Sequence, residues 1–166
     1  MRLLAFGVIF ALLLSCSINV HNYEEKVVSN FLKSKFPDGL HYTDGDTADL
    51  QMLENKAIAF YFTSVNNPQS LEVEELLKDM AVKYHYRLSI VFINSGPEKT
   101  EFEEKVKRHG DSFFMASEKQ SKVLTSKYDV KVTPSLIVYG RNKTLVDEKG
   151  IDSLIQTFPR IPGHWE

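Results

Sequence analysis

Apolar residues between positions 22 and 36 fall at Val27, Val28, Phe31, Leu32 and Phe36, the three- and four-residue steps of one helical face. Pro37-Asp38-Gly39 ends that helix in a turn. Residues 40–55 keep no period, and only Leu40 and Tyr42 fit a short strand. The pattern then changes. Ala57 to Phe62, opened by Lys56, is apolar on both faces, which predicts a central strand covered by helices on either side. A polar loop, Thr63 to Asn66, leads into a strong helix. Asn67 suits its N-cap and Pro68 its first helical position. Glu72, Glu74 and Glu75 stand near the positive end of its dipole and read as solvated first-turn acids. Val73, Leu76, Leu77, Met80, Ala81 and Tyr84 form its core stripe.

Leu88 to Ile93 is a second buried strand, broken at Asn94 to Pro97. A helix over about 100–109 follows, with Glu101–Lys105, Glu103–Lys107 and Glu104–Arg108 spaced as i,i+4 ion pairs. Its apolar face is thin, Phe102 and Val106, so it is expected on the surface. Phe113 to Met115 is a short apolar segment, and Ser117 with Gln120 makes a capping box for a helix ending near Tyr128. Val132 to Tyr139 reads as a strand with Pro134 near its start. Gly140 to Lys143 turns into a partner strand, Thr144 to Glu148. Residues 150–158 are expected as a last helix and 159–166 as a loose tail. Strands joined through helices pair in parallel, and the final hairpin adds an antiparallel edge. The fold class is α/β, with a mixed central sheet flanked by helices.

The first residues carry an address rather than a fold. Arg2 precedes an apolar run from Leu3 to Leu14, and the small residues Ser15, Cys16 and Ser17 follow. This is the layout of a secretory signal peptide over 1–17, too short for the roughly 20 residues of a bilayer-spanning helix. The domain is then expected over 18–158. Cys16 is the only cysteine of the chain. It leaves with the leader or, in a bacterial lipobox reading of Leu13 to Cys16, becomes a lipidated first residue. A membrane association is expected only if Cys16 is lipidated or the leader is retained. The expected destination is the secretory pathway, extracellular or in the endoplasmic reticulum lumen, with a bacterial lipoprotein as the alternative. Asn142-Lys143-Thr144 is a glycosylation sequon, which makes Asn142 a candidate acceptor in a secreted protein.

Charge and composition exclude several functions. The formal charge is −2, and removing Arg2 with the leader leaves −3, without a basic cluster, so no nucleic-acid partner is expected. His21, His41, His85, His109 and His164 have no metal-ligand spacing, and no thiol helps them. No phosphate-cradling glycine motif is present. Neither a metal nor another cofactor is expected.

Tyr61 to Ser70, Tyr-Phe-Thr-Ser-Val-Asn-Asn-Pro-Gln-Ser, resembles the active-site segment of tryparedoxins and nucleoredoxins, where Tyr-Phe and a short loop precede Trp-Cys-Pro-Pro-Cys. Ser89 to Ser95, Glu101-Phe102 and Tyr128 to Val138 are similar to later segments of the same family. The resemblance covers about residues 50–155 and implies a thioredoxin fold. It also implies a cis Pro134 facing the active-site loop, with the Thr133 backbone open to extended peptides, and a disulfide reductase ancestry.

The chain departs from that family at the chemistry. Asn67 falls at the position of the nucleophilic cysteine, Ser70 at that of the resolving cysteine and Asn66 at that of the tryptophan, while Pro68 is kept. Thiol–disulfide exchange needs a thiolate of lowered pKa and a second thiol to resolve the mixed disulfide. An amide and an unactivated hydroxyl supply neither. Asn67 instead suits a helix cap, accepting from the N–H of Gln69 or Ser70. The expected function is a redox-inactive, thioredoxin-like protein, a pseudo-enzyme without catalytic residues. It would bind an extended peptide or protein partner through Asn66, Asn67, Pro68, Gln69, Thr133 and Pro134. The alternative is an oxidoreductase-family enzyme acting through a non-thiol site or a redox partner.

Overall fold

The computed structural model describes residues 28–108, 113–143 and 145–147. The expected signal peptide with Cys16, the start of the first helix, the last helix and the tail lie outside the described residues. Seven strands form one mixed sheet in the order β2-β1-β5-β4-β3-β6-β7. They are β1 (Leu40–Tyr42), β2 (Thr47–Ala48), β3 (Ala57–Thr63), β4 (Leu88–Asn94), β5 (Phe113–Met115), β6 (Ser135–Tyr139) and β7 (Leu145–Asp147). β3, β4 and β5 run parallel to one another, and β1, β2, β6 and β7 each join antiparallel.

β3 lies at the centre, as its two-faced apolar sequence requires. Ala57, Ala59 and Tyr61 point into one apolar layer, and Ile58, Phe60 and Phe62 into the other. The first layer is roofed by α2 (Gln69–Lys83) and α3 (Lys99–Lys107), through Leu77, Met80, Ala81, Phe102 and Val106. The second is roofed by the helical segment α1, residues 28–35, and by α4 (Glu118–Lys127), through Val28, Leu32, Phe36 and Leu124. Ser117 and Gln120 form the expected capping box at the start of α4.

Besides the added strand β2, four details depart from the sequence pattern. A 3-10 turn, Leu50–Leu53, occupies part of the aperiodic stretch, started by Asp49, whose side chain accepts from the Gln51 N–H. β6 begins at Ser135 rather than Val132. Pro134 has no N–H to give a ladder, and the Thr133 carbonyl is engaged elsewhere. α2 begins one residue later than expected. The Ser70 N–H bonds the Asn67 carbonyl at 3.1 Å in a tight i,i+3 turn, so Pro68 precedes the regular helix. α3 buries both of its apolar residues, and Lys105 turns inward instead of reaching Glu101 on the helix surface. Two aromatic or branched side chains on one stripe suffice to dock a nine-residue helix.

Candidate functional site

The site lies where β3 ends and α2 begins, beside the segment that leads into β6. Thr133-Pro134 is a cis peptide bond. Asn67 joins the two sides. Its Oδ1 accepts from the Gln69 N–H at 3.0 Å, which satisfies the first N–H of α2 from the residue before the Pro68 N-cap. Its Nδ2 donates to the Thr133 carbonyl and lies 3.2 Å from Thr133 Oγ1. The Thr133 carbonyl is therefore engaged by a side chain of the same protein. Asn66 turns the other way and donates to Glu98 Oε1 at 3.3 Å. The β4–α3 loop comes close here. A Cβ on Gly96 would lie 3.2 Å from Ser64 Cβ and 2.8 Å from the movable Glu98 Oε2, so the approach is tight.

Ser70 is fully buried, and its Oγ lies 2.7 Å from Thr63 Oγ1. Beneath it sits a polar cluster that the sequence pattern missed. Glu74 is 1% exposed and pairs with Lys105 across the α2–α3 contact, Oε1 to Nζ at 2.8 Å. Lys105 also donates to the Ser64 carbonyl at 3.2 Å, tying α3 to the loop after β3. The hydroxyls of Thr63 and Tyr61 reach Glu74 Oε1 through longer contacts of 3.5 Å. Burial holds the Tyr61 phenol well above its ordinary range. Glu74 is thus an interior ion-pair partner rather than a solvated first-turn acid. A legible signal existed: Ser70, Glu74, Leu77 and Ala81 lie at i, i+4, i+7 and i+11 on one face, and Phe102, Lys105 and Val106 lie at i, i+3 and i+4 on one face of α3.

The chemistry open to this arrangement is narrow. A hydroxyl with no exposure and a hydroxyl partner cannot meet a substrate, and the Asn67 amide is held at both ends. What the site does present is surface. Asn66, Pro68 and Gln69 are exposed, Thr133 and Pro134 partly so, and the flanking Leu71 and Val132 are 64% and 69% exposed. Asn142 is exposed in the turn between β6 and β7, while Lys143 beside it is buried. The Lys143 ammonium donates to the carbonyls of Leu53, Glu54, Lys56 and Arg141 at 2.6–3.2 Å. Burial pushes it down to about 8, with Glu54 acting in the opposite sense. No described helix is long and apolar enough to cross a membrane.

A parallel β3–β4–β5 core, an antiparallel β6–β7 edge and a cis proline opposite a helix start define a thioredoxin-type architecture. The family model described as thioredoxin-like matches residues 55–145, more than half of the chain, and the chain belongs to that family. Solved structures agree on the fold. Native tryparedoxin I from Crithidia fasciculata is 20% identical with a TM-score of 0.67, over 81% of this chain and 97% of its own. Tryparedoxin I from Leishmania major is 23% identical with a TM-score of 0.62, over 70% and 83%. A thioredoxin from Wuchereria bancrofti is 23% identical with a TM-score of 0.58, over 72% and 92%. No curated protein matches the chain.

Proposed function

We propose that this protein is a redox-inactive member of the thioredoxin-like family, exported to the secretory pathway, that docks an extended peptide or protein partner beside the α2 start. The observation that carries the reading is Asn67. At a helix N-terminus that suits a thiolate, the side chain is an amide bonded to the Gln69 N–H on one side and to Thr133 on the other. No cysteine follows position 16, so no dithiol can form in the domain. The docking surface is the exposed rim, Pro68, Gln69, Leu71 and Val132, with the Thr133 carbonyl kept for internal use. The buried Ser70 hydroxyl weighs against a non-thiol enzyme at the same loop.

The test has two arms on the protein 18–166. Insulin reduction with dithiothreitol as electron source is expected to run no faster than the uncatalysed control, and measurable turnover sinks the redox-inactive reading. A photo-crosslinking residue at Gln69 is expected to capture a partner in the exporting cell, and capture unaffected by Val132→Asp sinks the rim as the docking surface. Intact mass of the exported protein reads the leader cleavage, and its change on glycosidase treatment reads Asn142.

A further inference from the structure

The chain has four methionines, at 1, 52, 80 and 115. Met1 falls in the expected leader. Met80 and Met115 pack in the apolar layer under α2 at 8% and 7% exposure, while Met52 is 48% exposed. Among the described residues, Met52 therefore carries the thioether that solvent reaches most readily. It stands in the 3-10 turn Leu50–Leu53, whose first and last residues pack into the layer opposite α2, away from the site above.

The sulfur is held in one orientation. The Tyr42 hydroxyl, at the end of β1, donates to Met52 Sδ at 2.8 Å. Both sides of that contact are anchored. The Tyr42 N–H donates to the Asp46 carbonyl at 2.8 Å, and its ring lies 5.5 Å from that of Phe114. The Met52 N–H donates to the Asp49 carbonyl at 3.1 Å, inside a turn fixed by the buried Leu53. A thioether sulfur has two lone pairs, one on each face of its C–S–C plane. Oxygen added to one face gives one sulfoxide epimer, and oxygen added to the other face gives the second. Here Tyr42 Oη occupies one lone pair, and the other is left for an incoming reagent.

We propose that Met52 is a sulfoxidation site for hydroperoxides and that Tyr42 restricts it to one sulfoxide epimer. The open Sδ lone pair attacks the outer oxygen of the hydroperoxide. An S–O bond forms and the O–O bond breaks. The departing oxygen keeps the electron pair of that bond and takes the proton of the transferred oxygen, leaving as alcohol, or as water when the reagent is hydrogen peroxide. Sulfur is oxidised by two electrons and the peroxide is reduced by two, so thioether and hydroperoxide become sulfoxide and alcohol with no other reactant. The polar product forms at the surface and leaves both core layers intact. A sulfoxide reductase of the matching hand reverses it, which makes the change a reversible mark on a domain whose helix start carries no thiol.

The experiment treats the protein 18–166 with hydrogen peroxide and reads sulfoxide at each methionine by peptide mass spectrometry after quenching and digestion. Met52 is expected to react at least about sixfold faster than Met80 or Met115, as 48% exposure stands to 8% and 7%. Either core methionine keeping pace with Met52 overturns the site. The Met52 sulfoxide peptide is then divided between the two epimer-specific methionine sulfoxide reductases, each of which reduces one hand alone. One of them is expected to reduce about fivefold more of it than the other, the bias that one net hydrogen bond supplies. Equal reduction by the two overturns the role of Tyr42, and this ratio is read on the wild-type protein, whatever a variant does. Tyr42→Phe keeps the ring beside Phe114 and is expected to give the two epimers in near-equal amounts, with Met80 and Met115 reacting as slowly as before. A single-epimer excess that survives in that variant also overturns the role of the hydroxyl.

Discussion

Removing the Lys105 ammonium should be among the most costly single changes in this domain. Lys105→Met keeps most of the side-chain volume, so packing around Phe102 and Val106 is little disturbed. It leaves the Glu74 carboxylate 1% exposed, with the longer Tyr61 and Thr63 contacts at 3.5 Å in place of an ammonium at 2.8 Å. It also frees the Ser64 carbonyl. Breaking a buried pair from one side costs about 3–5 kcal/mol, out of a total of about 5–15 kcal/mol for a domain. Replacing both partners, Glu74→Leu with Lys105→Met, removes the buried charge and is expected to return stability to within about 1 kcal/mol of wild type. Urea unfolding at constant m-value reads each variant. The pH dependence gives a second check. Loss of the ammonium beside it raises the folded-state pKa of Glu74 in the variant, so the stability it contributes is present at low pH and lost as pH rises through that value. The Lys105→Met deficit should therefore be smaller at pH 5 than at pH 8. A deficit under about 0.5 kcal/mol, or a double variant as unstable as the single, refutes the buried-pair account.

Asn67→Ala removes the bond to the first α2 N–H and the bond to Thr133, and is expected to cost about 2 kcal/mol in denaturant unfolding. Asn67→Cys with Ser70→Cys is expected to gain insulin reductase activity, since the helix start and cis-proline segment are in place. Lys143→Met strips the ammonium from four carbonyls and is expected to lose on the order of 2 kcal/mol. The Lys143 pKa falls to about 8 on folding, so the unfolded chain binds more protons between pH 8 and 10, and this group makes stability rise with pH there. Lys143→Met should flatten that rise in pH-resolved thermal unfolding.

Legibility followed the strength of the period. β3 and β4 read directly because two apolar faces leave no place but the centre of a covered sheet, and the α4 cap read from two residues. The strand at Thr47–Ala48 and the turn at Leu50–Leu53 did not, because pairing with β1 and a side-chain cap create them rather than local periodicity. At the site, the Asn67 bond to the Gln69 N–H was legible, though the N-cap itself is Pro68, and the cis bond was legible through family likeness. The Asn67–Thr133 bond spans 66 positions, which no local pattern encodes. Glu74 and Lys105 were misread for another reason. Composition favours solvent for charged residues, while helical phase places these two on inward faces, and the interior pair decides in favour of phase.

The Asn67 amide also sets a toll on installing a thiol at this position. A cysteine at 67 has neither the donor that holds Thr133 nor the oxygen that meets the first α2 N–H, so both bonds are lost as the nucleophile arrives. Reactivity and robustness are thereby opposed at a single position. A variant with thiols at 67 and 70 should melt earlier than its parent, and compensating changes selected in it should gather around the β6 approach and the first turn of α2 rather than near the new sulfur atoms.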